Sequence, residues 1–555
     1  MRALRIIGIV VGCIVVVLIA AVIALQLLVH PNEYKGRIQA AVRSSTGREL
    51  SLPGSIHLSI FPALAVEFGP ATLGNPPGFS SAQPFASIQR AALRVKLLPL
   101  LHRQLVVGRV EIDGLDLHLV KNAQGQGNWS MPAGKTTTPA AQSSSSQMTL
   151  GGVAGVVIKK SRVSYQDMVF DHVDVTIGHV ASGVPVPVKW NLDLSTGPGA
   201  RAIPLSGNAT LEYGTNAAHL SSLDARIDDS TLRGNAAVTN LATGAMSLDL
   251  SVDHIDLDRY LPASKPSKAA AAPAQSQSPA ELPTSALKSL EMSGKLAIGS
   301  ATVYGMKLSQ VHVGLAADGG VLHIDPMNAA LYGGTSTGKV TLDAHGTVPV
   351  LHLAETLSGI SVQPLLEDFA KLNRVSGRGN VALDVTARGK TTAAMLASLG
   401  GRAAANLANG AINGLDLWTA VNSAVALVQK HAVPSGGVGK STHFDAFKAS
   451  ADLANGIAST KDLDIASGDL HVTGQGTTNL VTGAVDYRLN AALLKGAAGG
   501  AALANVPLLV SGTMTSPTVR PDTQGLVKSL AKQQLEKHKG QIENKLRNVL
   551  KGFIH

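Results

Sequence analysis

The chain opens on an unbroken apolar run from Ile6 to Val29, interrupted only by Gln26, and changes afterwards to short alternations of apolar and polar positions. About 24 residues at 1.5 Å rise are enough to cross the hydrocarbon core of a bilayer as a helix. Arg2 and Arg5 precede the run, so its leading end is expected in the cytoplasm and everything after His30 on the far side of the membrane. A cleaved signal peptide has a shorter apolar core and ends at a small-x-small site, whereas this run continues past Ala20 and Ala21. The pattern therefore predicts an uncleaved anchor. Val10-Val11-Gly12-Cys13 looks locally like a lipidation site, but apolar residues continue well beyond Cys13, which reads as a small buried thiol.

Past the anchor, Tyr34, Ile38 and Val42 recur every four residues within a polar stretch, the spacing of one helix face. Strand patterns follow. Leu93, Val95 and Leu97 alternate with Arg94 and Lys96, Val110 and Ile112 with Arg109, Glu111 and Asp113, and Leu115, Leu117 and Leu119 with Asp116 and His118. Asp113-Gly114 between the last two is a two-residue hairpin signal and predicts that those strands fold back on each other. Each such strand has one apolar and one wet face, as do Val163-Ser164-Tyr165 and Val173 to Ile177 further on.

Two stretches break the alternation. Met131 to Met148 and Ser264 to Ser285 are low in complexity and rich in Ala, Ser, Pro and Gln, the composition of flexible linkers. One hairpin unit is repeated: Asn240-Leu241-Ala242-Thr243-Gly244 leading to Leu248-Asp249-Leu250 is echoed by Asn479-Leu480-Val481-Thr482-Gly483 leading to Tyr487-Arg488-Leu489. Repetition of that unit predicts a sheet extended by addition. Helical spacing joins Trp418, Val421, Val425 and Val428, and also Leu365, Leu366 and Phe369, which are expected to pack on the sheet or plug an end. From Thr523 to His555 the pattern is a Lys-rich amphipathic helix, suited to an anionic lipid surface, a partner helix or docking on the sheet.

Composition narrows the chemistry. The formal net charge is +10, but aromatic residues make up only 3% against 57 glycines, too few rings for a base-stacking surface, and no nucleic-acid partner is expected. Cys13 is the one cysteine, so the exported body has no internal disulfide, cysteine nucleophile or cysteine metal cluster. Gly436 to Thr442 resembles part of a phosphate-binding loop, but Pro434 stands where its first glycine belongs and no apolar strand leads into it. The histidines show no ligand-pair spacing, and His254, Asp256 and Asp258 read as the wet face of a strand. No Gly-x-Ser-x-Gly elbow and no recognisable carboxylate pair frames a reaction, so no catalytic residue, metal or cofactor is assigned and no enzyme is expected.

Several segments, taken in order, resemble the AsmA family. In the amino-terminal part they are Thr46-Gly47-Arg48, Pro62, Asn75-Pro76-Pro77-Gly78-Phe79, Leu97-Leu98-Pro99-Leu100-Leu101, and Asn122 through Gly125 to Asn128-Trp129. In the carboxy-terminal part they are Leu331 to Gly334, Leu365 to Asp368, Asn409 to Leu417, and Gly512-Thr513 leading to Pro517 and Pro521-Asp522. Most are turn residues, so their role is expected to be structural. The organisation read from the chain is then a stub and anchor (1–30), an amino-terminal module (31–130), a linker (131–148), a middle sheet segment (149–263), a linker (264–285), a carboxy-terminal module (286–522) and a basic helix (523–555). The expected fold is mainly β: a transmembrane helix, then a long, curved antiparallel sheet forming an open, chorein-like trough, with a few short helices and the terminal amphipathic one.

The resemblance implies a protein anchored in the bacterial inner membrane by one span, its amino terminus cytoplasmic and its body periplasmic, that carries phospholipid or another acyl-chain lipid between membranes in outer-membrane biogenesis. Alternation alone leaves an open trough and a closed sandwich undivided, because both have one apolar and one polar face. Leu93, Val95, Leu97, Val110 and Ile112 are the candidate walls near the membrane entrance, with core packing as their other reading. A second function of another class stays open: a non-enzymatic scaffold whose exposed sheet edge pairs with outer-membrane assembly components.

Overall fold

The computed structural model describes residues 31–59, 64–80, 82–95, 104–122, 125–129, 149–181, 183–197, 199–260, 284–429, 441–468, 470–493 and 505–528. The apolar run from Ile6 to Val29, the linker at 131–148, residues 264–283 of the second linker and residues 529–555 of the basic helix lie outside the described residues. Among the described residues no helix is long and apolar enough to cross a membrane. The chain divides into two compact units, Met1–Asp253 and His254–His555.

In the first unit, helix α1 (Lys35–Thr46) forms where the four-residue spacing places it, and buries Ile38 and Val42. The strands are β1 (Leu50–Ser51), β2 (Ile56–Ser59), β3 (Leu64–Phe68), β4 (Ala71–Leu73), β5 (Ala86–Ile88), β6 (Arg90–Val95), β7 (Gln104–Asp113), β8 (Asp116–Leu119), β9 (Thr149–Tyr165), β10 (Met168–Ile177), β11 (Val186–Ser195), β12 (Ile203–Tyr213), β13 (Ala218–Ile227), β14 (Ser230–Asn240) and β15 (Ala245–Asp256). Strands β9 to β15 run in chain order, each antiparallel to the next. The core joins Ile38 and Val42 of α1 to Val66, Leu93, Val107, Val110, Ile112, Leu117, Val156 and Ile158.

The hairpin expected at Asp113-Gly114 does not form. β7 and β8 lie end to end along one edge of β9, both parallel to it, with Asp113 opposite Lys159 and Asp116 opposite Arg162. Gly114 adopts a φ of 65°, as the signal anticipates, but its N–H donates to Lys159 O at 2.9 Å and Leu115 O accepts from Arg162 N–H at 2.7 Å. The buried Ser161 Oγ accepts from the N–H of Leu115 at 3.2 Å. The glycine therefore bends one continuing strand, because β9 offers backbone partners on both sides of the bend. Beyond it the neighbours change from β6, beside β7, to β5, beside β8. Among the described residues the sheet is thus antiparallel except at this seam.

The second unit is a single antiparallel meander: β16 (Met292–Val303), β17 (Met306–Asp318), β18 (Val321–Leu331), β19 (Gly334–Asp343), β20 (Val350–Ser361), β21 (Arg378–Arg388), β22 (Gly400–Asn413), β23 (Ser441–Ala454), β24 (Ile457–Ser467), β25 (Leu470–Asn479), β26 (Ala484–Leu493), β27 (Asn505–Thr513) and β28 (Ser516–Pro521). Among the described residues its two outer strands, β16 and β28, are not paired with each other, so the sheet is open. Register shifts at Ser309/His312, Ile324/Met327, Leu357/Ile360 and Lys448/Asp452 mark bulges, which bend and twist the strands that carry them. Helices α2 (Val362–Ala370), α3 (Thr392–Ala397) and α4 (Leu417–Gln429) are inserted after β20, β21 and β22. Residues 523–528 begin a helix after β28.

The repeated unit has one geometry in both places. Asn240 Oδ1 accepts from the N–H groups of Ala242 and Thr243 at 2.9 and 3.3 Å, and Asn479 Oδ1 from those of Val481 and Thr482 at 2.9 and 3.0 Å. Each turn closes with a glycine, Gly244 or Gly483, at φ 77° and 76°. An asparagine that caps its own turn and a residue that tolerates positive φ are what the motif encodes.

Candidate functional site

Residues directly opposed in an antiparallel ladder point to the same side, so register sorts the second unit into two faces. One row runs Leu296, Val313, Met327, Gly338, Glu355, Leu383, Ala403 and Ala451 across eight strands. The next row on that side is Ile324, Val340, Leu353, Val385 and Gly401. The opposite side carries Lys339, Ala354, Asp384, Arg402 and Asp452 in one row and His323, Thr341, His352 and Thr386 in another. His352 and Asp384 pair there at 2.9 Å, and Arg402 and Asp452 at 3.6 Å.

The apolar face is not sealed. Val340, Leu353, Leu357, Val381, Leu383 and Leu453 are half-buried, in contrast to the fully buried residues of a two-layer core. The first unit repeats the arrangement: Trp190, Gly207, Ala225, Leu232 and Val252 form one apolar row, and Lys189, Asn208 and Asp224 occupy the other side. The ring of Trp190 lies over Gly207, where a Cβ would meet it at 2.6 Å.

Helix α4 covers part of the apolar face. Leu417, Val421 and Ala424 are fully buried and pack with Leu470, Val472, Ala491, Val506 and Leu508 of β25 to β27. Of the expected stripe Val421 is fully buried as anticipated, whereas Leu417 and Ala424 take the deep positions in place of Trp418 and Val425, which are half-buried at the margin, and the side chain of Val428 lies outside the described residues. The helix start is fixed by Asp416 Oδ1, which accepts from Thr419 N–H at 2.9 Å, and by the buried Thr442, whose Oγ1 accepts from Leu417 N–H at 2.9 Å and donates to Leu415 O at 2.6 Å. Thr442, the last residue of the stretch that resembles a phosphate loop, thus holds a helix end; residues 436–440 lie outside the described residues. Helix α2 is pinned by Tyr332 Oη, which donates to Asp368 Oδ2 at 2.8 Å and accepts from Lys307 N–H at 3.3 Å; burial and the Asp368 hydrogen bond push this phenol up to about 12. Leu365 and Leu366 pack on the core as expected, while Phe369 is 59% exposed.

One residue breaks the apolar face. Glu355 is only 9% exposed, its Oε1 accepts from Ser336 Oγ at 2.5 Å, and its Oε2 is buried without a hydrogen-bond partner. The carboxyl lies across Gly338, where a Cβ would fall 2.0 Å from Oε2. Desolvation raises its pKa, and the Ser336 hydrogen bond opposes that only in part. Sequence alone carries a signal for it: Leu351, Leu353 and Leu357 share the parity of Glu355.

Of the five candidate walls, Leu93, Val110 and Ile112 sit in the first unit's core at 2, 1 and 1% exposure, packed in the same cluster as Ile38 and Val42 of α1. Val95 is paired with Leu64 and Val107 in the ladder, and its side chain lies outside the described residues, as does the whole of Leu97. Sequence reasoning treated Arg48, Asn75 and Asn128 as turn residues, but the fold brings them together. Arg48 Nη2 donates to Asn128 O at 2.7 Å with its guanidinium 4.1 Å over the Phe85 ring, and Asn128 Nδ2 donates to Asn75 Oδ1 at 2.9 Å and His118 O at 2.7 Å. Asp258 also has a structural task, accepting from the N–H groups of Tyr304 and Gly305 at 2.6 and 2.7 Å. Among the described residues no group of three or more His, Cys, Asp or Glu is placed to hold a metal ion.

The model of the AsmA family matches residues 1–182 and 199–463, most of the chain, and the protein belongs to that family. Among curated proteins it is similar to the protein AsmA of Escherichia coli (strain K12), with 23% identity over 566 residues that span 90% of this chain and 90% of that one. No solved structure matches it.

Proposed function

We propose that this protein carries phospholipid along the apolar faces of its sheets, held to the bacterial inner membrane by the amino-terminal apolar run with its body in the periplasm, and serves outer-membrane biogenesis. The observation that carries the reading is the half-buried face of β16 to β23: Leu353, Leu383, Val340 and their neighbours form apolar rows on an open sheet, interrupted by Glu355, while Lys339, Asp384, Arg402 and Asp452 lie on the other side. A face of this kind suits acyl chains, because each buried methylene contributes about 0.8 kcal/mol wherever along the rows it lies. Along the aliphatic stretches of these rows a chain is held without its position being fixed, which favours movement over tight binding. At about 4.8 Å between strands, the thirteen strands of the second unit extend on the order of 60 Å, enough for several lipids side by side. Its partners are then the inner-membrane bilayer, phospholipid and outer-membrane assembly components, and no side chain takes a catalytic part.

The test is mass spectrometry of lipids that co-purify with the full-length chain extracted without added lipid. Several phospholipids per chain support the reading. A lipid-free, monodisperse protein contradicts it and favours a scaffold that works through its sheet edges.

A further inference from the structure

Glu355 stands in the middle of the face to which the preceding proposal assigns acyl chains, and nothing in that proposal uses it. It occupies the sixth position of β20, opposite Gly338 on one side and Leu383 on the other. Around it on the same face are Ser336, Val340, Leu353, Leu357, Val381 and Leu383, none of them ionisable. The nearest charged residues in register, Lys339, Asp384 and Arg402, belong to the opposite face. A carboxyl without a countercharge would rest poorly as an anion on an apolar surface, and an acyl chain laid over it would remove its remaining water. The neutral acid is the form compatible with that setting, and it adds a hydrogen-bond donor. Oε1 is already engaged by the hydroxyl of Ser336, so the proton falls to Oε2, the oxygen that is buried and without a partner. The absence of a Cβ at Gly338 leaves the space into which Oε2 lies.

We propose that Glu355 and Ser336 form a polar subsite within the apolar path, at which the protonated Glu355 carboxyl, turned outward from its resting place over Gly338, donates a hydrogen bond from Oε2 to an ester carbonyl of a glycerolipid. The inference rests on the lipid-carrying reading and adds to it a fixed point at which the glycerol level of a passing lipid pauses. A satisfied donor on an otherwise featureless wall would slow and orient cargo without a charged contact.

The test uses the full-length chain loaded with dioleoylphosphatidylcholine labelled with carbon-13 at its ester carbonyls, read by infrared spectroscopy. In the natural protein a fraction of the labelled ester band moves to lower frequency relative to lipid on the aliphatic wall. Glu355→Gln, which keeps a donor, retains the moved band; Glu355→Leu loses it while binding the same amount of lipid. A band that is identical in the natural protein and Glu355→Leu, at equal lipid content, overturns the subsite and leaves lipid carriage standing. Preferential retention of oleylamine by the natural protein over Glu355→Gln would mean an ionised carboxylate and would also overturn the proposal. If no variant binds lipid, subsite and lipid carriage fall together.

Discussion

Arg48 and Asn128 are 80 residues apart in sequence, and the guanidinium of the first donates to the main-chain oxygen of the second at 2.7 Å inside the first unit. Asn128, fully buried, spends its own amide on Asn75 and His118 and accepts from the N–H of Val120 at 3.0 Å. A buried network of this kind is costly to break, because each deletion leaves polar groups without partners. Asn128→Ala should reduce the local stability of the first unit by about 2 to 3 kcal/mol. Native-state hydrogen exchange checks this: amides of β8 and β9 should lose protection while those of β25 and β26 keep theirs. Arg48→Lys should behave like a loss, since a lysine cannot both reach the carbonyl and stack on Phe85.

Glu355 makes the second unit sensitive to pH. Burial raises its pKa above the unfolded value of about 4.3, so the folded unit holds this proton more tightly than the unfolded chain does. The stability gained is complete below the unfolded value and is lost as the pH rises through the folded one. Glu355→Gln should therefore match the natural protein in acid and exceed it increasingly toward neutral pH. Urea unfolding followed by exchange at β19 and β20 over a pH series provides the comparison; a constant offset at every pH would contradict the expectation.

The two asparagine turns should respond alike. Asn479→Ala removes the acceptor for two backbone N–H groups and should cost about 1 kcal/mol at the β25–β26 turn. Gly483→Ala, at φ 76°, should cost about 1 kcal/mol through backbone strain. Asn240→Ala should have the same effect on the β14–β15 turn. Exchange rates at the amides of each turn distinguish these local losses from global ones.

Helix α4 is anchored by side chains with no exposed surface. Leu417→Ala should open a cavity against β27 and destabilise the covered end of the sheet by about 3 kcal/mol, and Val421→Ala by somewhat less. Trp418→Ala, at the half-buried margin, should cost less than Leu417→Ala; hydrogen exchange at the amides of β25 to β27 is the readout, with faster exchange in the Leu417 variant.

Much of this fold was legible because a meander obeys a local rule. Alternation at Val163 to Tyr165 and Val173 to Ile177, the four-residue spacing of Ile38 and Val42, and the Asn-Leu-x-Thr-Gly turns each announce an element through its own residues. What alternation does not carry is the identity of the neighbour. Asp113-Gly114 has the chemistry of a reversal, yet β9, far along the chain, pairs both flanking strands and turns the glycine into a bend. Nor does alternation say what covers a face. Leu93, Val110 and Ile112 read like Leu353 and Leu383, but the first three lie in the cluster that includes α1 and the latter two do not. The convergence of Arg48, Asn75 and Asn128 was hidden because hydrogen bonds across 53 and 80 residues have no local pattern.

The central claim, that lipid travels on one face of the sheet and not the other, is tested most directly by site-specific photocrosslinking in cells. A photoreactive amino acid at Leu353 or Leu383 reports on the apolar face, and one at His352 or Asp384, one residue away on the same strands, on the polar face. The account predicts phospholipid adducts from the first pair and none above background from the second. Equal lipid labelling of both pairs, or labelling of the polar pair alone, would contradict it.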